Sequence, residues 1–160
     1  MSIEQPRPQR GGAPVGFITE LDPVGAGAVL YLRLWNDGPD AQAQVHRDFA
    51  AHLGPRDGAS AVTALEAICD ICHRHGRRPL MRHGVSCRCL GGDESCFATF
   101  IGVAGDGDRE DAMLIAATMI RADMAPSLVG LAETLGLALK RMTLAALRAG
   151  PVPAHPQTLH

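Results

Sequence analysis

Ala28-Val29-Leu30-Tyr31-Leu32-Arg33-Leu34-Trp35 is the run on which the fold turns. Large apolar and aromatic side chains in an eight-residue stretch read as a β-strand. Asn36, Asp37, Gly38 and Pro39 then supply turn chemistry that ends it. Upstream, residues 15–20 (VGFITE) predict a first strand, and LDPVGAG supplies the turn between the two. Residues 15–35 therefore read as an antiparallel hairpin.

Downstream, Val45, Phe49 and Leu53 recur at four-residue spacing and predict a helix near 41–53, closed by Gly54 and Pro55. A second helix is expected over 59–75, with Ser60 as cap and Ala61, Leu65, Ile68, Cys69 and Cys72 on one face. Gly76 stops it. Residues 80–90 and 96–104 then read as a second hairpin, looped by Gly91, Gly92, Asp93, Glu94 and Ser95. A third helix follows at 109–121 with Asp108 as N-cap. Asp123 caps a fourth, which carries Leu128, Leu131, Leu135, Leu139 and Met142 in a stripe.

The resulting expectation is an α+β fold in the order ββααββαα. It has two β-hairpins and about four helices, joined as a four-stranded antiparallel sheet with helices on one face. The single domain spans 14–149, between flexible tails at 1–13 and 150–160. A chain of 160 residues suits one such core.

Composition narrows the function. Aromatics are 4% of the chain, so few rings are available for base stacking, and a net charge of -2 gives no global positive field. Both count against nucleic acid. No apolar run is long enough to cross a bilayer, and the polar, Pro-rich amino terminus lacks the apolar region of a secretory signal. Five cysteines, an odd number, favour reduced thiols and a cytoplasmic setting.

All five cysteines fall between Cys69 and Cys96, in CDICHRHGRRPLMRHGVSCRCLGGDESC. Cys69 and Cys72 lie one turn apart on a helix, and Cys87 and Cys89 share a face if their segment is a strand. Closing the hairpin sets Cys89 opposite Cys96. If the second helix packs on that side, the sulfurs converge and four thiolates suit a tetrahedral zinc ion. Cys69, Cys72, Cys87 and Cys89 are thus the candidate metal ligands, with Cys96, His73, His75 and His83 as replacements. Two rival readings use the same residues. In one, Cys69 and Cys72 form a redox pair for thiol–disulfide or peroxide chemistry, with His75 as base. In the other, the cysteines are small core residues of a non-catalytic homodimer or adaptor, assembled through a Leu/Met face.

The second lead is the arginine-rich loop after the helix. Arg77, Arg78, Arg82 and Arg88 offer bidentate donors to a carboxylate or phosphate on an anionic small molecule. Arg82 and Arg88 share the even phase of a strand, opposite Cys87 and Cys89. Asp93 and Glu94 read as ordinary exposed acids of a Gly-rich turn, and Gly105–Asp111 as a turn and helix cap rather than a calcium loop. The leading expectation is a small soluble binding or regulatory protein. Whether it is also an enzyme stays open.

Overall fold

The computed structural model describes residues 10–150. Six helices and one two-stranded antiparallel sheet make up its regular structure, apart from three short 3-10 turns. This overturns the four-stranded sheet: both stretches expected as the main strands are helices.

The first is α1, Pro23–Trp35. Asp22 caps it, its Oδ1 accepting from the Gly25 N–H at 3.1 Å, and Pro23 occupies the first turn, where its missing N–H costs nothing. LDPVGAG is thus a helix start, not a hairpin turn. Val24, Ala28, Val29, Tyr31, Leu32, Arg33 and Leu34 are all buried. A helix covered on nearly every side needs apolar residues all round, so it shows no clean 3.6-residue stripe. Its glycines allow close neighbours: a Cβ on Gly25 would sit 3.6 Å from that of Ala98.

Helices α2 (Pro39–Leu53) and α3 (Pro55–His75) form an antiparallel pair turning at Gly54, whose φ of +86° is left-handed. Helix α3 starts ahead of the expected 59, because Pro55 opens it, so Ser60 is interior rather than a cap. After β2, described below, comes α4 (Gly92–Gly105), where the second hairpin was expected. Phe97, Phe100, Ile101 and Ala104 are at most 1% exposed and follow i, i+3, i+4, i+7, a helical stripe. Helix α5 (Arg109–Met119) is capped by Asp108, as the sequence predicts. Helix α6 (Ala125–Ala149) follows a 3-10 turn over Ala122–Met124; Asp123 sits in that turn and pairs with Arg121 instead of capping.

Helix α4 packs against α1, α5 and α6. It meets α6 at two glycines: a Cβ on Gly136 would lie 2.7 Å from both the Gly105 Cα and the Ile101 carbonyl oxygen. The α6 stripe of Leu128, Leu135, Leu139 and Met142 is buried in the protein's own core, with Leu131 partly covered.

The sheet pairs β1, Pro14–Phe17, with β2, Cys89–Gly91. Gly16 faces Leu90 and Phe17 faces Cys89. The first strand therefore pairs with a segment more than seventy residues away. No described residue between 80 and 88 lies in a strand. Arg10–Gly12 forms a 3-10 turn against α4. Most of each expected tail, 1–9 and 151–160, lies outside the described residues.

Candidate functional site

The segment between α3 and α4 has almost no regular structure, and its backbone is held by side chains. Arg33, projecting from α1, does most of this. Its Nε donates to Glu94 Oε2 at 2.5 Å and its Nη2 to Glu94 Oε1 at 2.9 Å. The remaining three N–H groups donate to the carbonyls of Gly84 (3.1 Å), Cys87 (2.7 Å) and Cys89 (2.8 Å). All five guanidinium donors are thereby satisfied. Glu94 also accepts from the Gly91 N–H at 3.1 Å, closing the first turn of α4. The side chains of Arg33 and Glu94 are 3% and 0% exposed.

Asp93 holds the other end of the loop. It is also buried, accepting from both Nη groups of Arg78 and from the Met81 N–H at 2.8 Å. Neither acid is the exposed turn residue that the sequence predicts. In a helix N-terminus both carboxylates face inward and meet arginines. The start of the loop is tied to the end of α5, with Arg77 N–H donating to the Met119 carbonyl and Arg121 N–H to that of His75, each at 3.0 Å.

This scaffold frames a cavity of about 430 Å³ between α1, α3 and residues 76–82. Arg77, Arg78 and Arg82 line it with His73 and Asn36, over Leu32, Cys72 and Leu80. No carboxylate among the described residues lines it. Arg78 is committed to Asp93. Arg77 uses only its Nε, on the Ala117 carbonyl at 2.8 Å, and Arg82 has no hydrogen-bond or ion-pair partner among the described residues. Arg88 stands apart, exposed just before β2, where its carbonyl accepts from the Ile18 N–H. The even-phase alignment of Arg82 with Arg88 is not formed, because there is no strand to align them.

The five sulfurs are spread over separate places. Cys69 and Cys72 line the arginine cavity. Cys96, in α4, lines a second cavity of about 320 Å³ with Arg78 and Thr118. Cys87 lies in the loop beside His83, and Cys89 is on β2. Among the described residues, no three or more His, Cys, Asp or Glu side chains are grouped to hold a metal ion. The expected convergence needed the end of the second helix to meet the thiol-bearing side of a hairpin, and that hairpin is not formed: Cys87 lies in no strand and Cys96 is helical.

Burial also shapes the thiols. It pushes Cys69 up to about 11, against partial relief from the Asn36 amide at 3.8 Å and from Arg82. Cys72 is pushed up to about 12 by burial and by Cys69. Cys96 is raised by burial and by Asp93. Thiols held neutral in this way are weak nucleophiles near pH 7. His75 is not among the residues lining the cavity with Cys69 and Cys72.

Sequence reasoning missed Arg33 as an organiser and the His83–Cys87 pair. The first had a signal: one charge inside an eight-residue apolar run must find a partner if that run is buried. The second had only a four-residue spacing in a loop. The chain matches no known protein family, no curated protein and no solved structure.

Proposed function

We propose that this protein binds a small organic anion, a carboxylate or phosphate ester with an apolar part, in the arginine-lined cavity. One observation carries this reading. The Arg77 Nη groups and the whole Arg82 guanidinium present donors without partners among the described residues, in a recess that no described carboxylate lines. Guanidinium forks match carboxylate and phosphate oxygens, and the floor of Leu32, Cys72 and Leu80 suits an apolar group. The five free thiols fit a reducing compartment such as the cytoplasm. Among the described residues no helix is long and apolar enough to cross a membrane.

Isothermal titration of the full chain with phenyl phosphate, benzoate and inorganic phosphate tests the proposal. Saturable binding of at least one is expected, weakened by about 10-fold or more in Arg82→Ala, since charge-assisted bonds contribute about 1.5–3 kcal/mol. Arg88→Ala should bind as the parent does. Absence of saturable binding at millimolar ligand, or equal weakening by both variants, refutes a specific site.

A further inference from the structure

We infer that Cys87 is a base-assisted nucleophilic thiol, with His83 as its proton acceptor, that reacts with small hydroperoxides. The geometry lies outside the arginine cavity. The His83 Nε2 is 2.9 Å from the Gly12 carbonyl oxygen. A carbonyl can only accept, so Nε2 carries the proton and Nδ1 is left with its lone pair. That lone pair faces the Cys87 sulfur at 3.8 Å. A thiol, an imidazole base and a third group fixing the base's tautomer form the arrangement by which a cysteine is activated.

The imidazole is held in place from two further segments. The Gly12 carbonyl belongs to the amino-terminal turn, and Gly91 of β2 leaves room for the ring. A Cβ at Gly91 would come within 3.1 Å of His83 Cδ2 and 3.2 Å of Nε2. The Cys87 backbone is fixed as well, because its carbonyl accepts from Arg33. Nucleophile and base are thus both anchored although neither lies in a helix or strand.

The substrate class follows from access. Cys87 is partly exposed and lines neither the arginine cavity nor the one beside Cys96. A hydroperoxide is small enough to arrive from solvent. The Cys87 proton passes to His83 Nδ1, and the sulfur attacks the terminal peroxide oxygen. An S–O bond forms and the O–O bond breaks. The departing alkoxide takes the proton back from His83 and leaves as an alcohol, or as water from hydrogen peroxide. Sulfur is oxidised to the sulfenic acid, and the peroxide is reduced. Cys69, Cys72 and Cys96 lack a comparable histidine contact among the described residues.

Site-resolved labelling of the reduced full chain tests this. Iodoacetamide is applied near neutral pH and each cysteine is followed by peptide mass spectrometry. In a parallel sample, hydrogen peroxide is followed by dimedone to trap sulfenic acid. Cys87 is expected to label about 10-fold faster in the native protein than in the same chain in urea, and to carry the dimedone adduct. His83→Ala should slow Cys87 by a similar factor and leave Cys89 unchanged. Native Cys87 reacting no faster than in urea overturns the proposal without any variant. So does an adduct on another cysteine instead, or a folded His83→Ala with unaltered Cys87 kinetics.

Discussion

Removing Glu94 should unfasten the whole segment between α3 and α4. In Glu94→Ala, Arg33 keeps its three carbonyl partners but loses its countercharge, in a site where its side chain is 3% exposed. An uncompensated buried charge costs about 3–5 kcal/mol. The Gly91 N–H also loses its acceptor at the start of α4, a further loss of about 1 kcal/mol. The sum, about 4–6 kcal/mol, is a large part of the stability of a domain of this size, about 5–15 kcal/mol. With a urea slope of about 2 kcal/mol/M, the midpoint should fall by about 2–3 M, read by circular dichroism. The double variant Arg33→Met with Glu94→Leu sharpens the test. Replacing a buried ion pair by apolar residues is often neutral or stabilising. Here it also removes the donors to Cys87 and Cys89, whose carbonyls belong to half-buried residues. At about 1–2 kcal/mol each, the double variant should stay about 2–4 kcal/mol below the parent, with faster amide exchange over 84–91. A double variant as stable as the parent, or a shift below about 0.5 M in Glu94→Ala, would refute the view that this pair organises the loop.

Two glycines of α6 should respond to alanine with opposite signs. Gly136→Ala drives a methyl into Gly105 and Ile101 and should cost about 1–3 kcal/mol, whereas Gly130→Ala meets nothing within 4 Å and should gain about 0.5–1 kcal/mol of helix propensity. Thermal melts of both variants check this. Asp93→Ala frees Arg78 and the Met81 N–H, so limited trypsin digestion should cut between Arg77 and Arg82 several-fold faster than in the parent. Alkaline pH should destabilise the fold. Burial holds Cys69 at about 11 against an ordinary 9.0, Cys72 at about 12 against 9.0, and Tyr31, beside Asp48, at about 12 against 10.0. The folded state therefore keeps these protons longer than the unfolded chain. Their contribution is complete below pH 9.0 and is lost as pH rises through about 11 to 12. Urea midpoints at about pH 8 and 10 should show the fall, and Cys72→Ala should reduce it.

The sequence alone determined the features that depend on a few neighbouring residues. Gly54-Pro55 separates α2 from α3, Asp108 caps α5, and the Leu128–Met142 spacing marks the buried face of α6. These are contacts across one turn, so local composition carries them. Tertiary structure decided the rest. Ala28–Trp35 and Cys96–Ala104 are apolar enough to be buried as helix or as strand, and their own side chains do not choose. They are helical because each is enclosed by other helices: α1 by α2, α4 and α6, and α4 by α1, α5 and α6. With that choice Glu94 turns inward to Arg33, a partner 61 residues away, and the cysteines disperse. A pattern of spacings sets which residues share a face, but only packing between distant segments sets which faces meet.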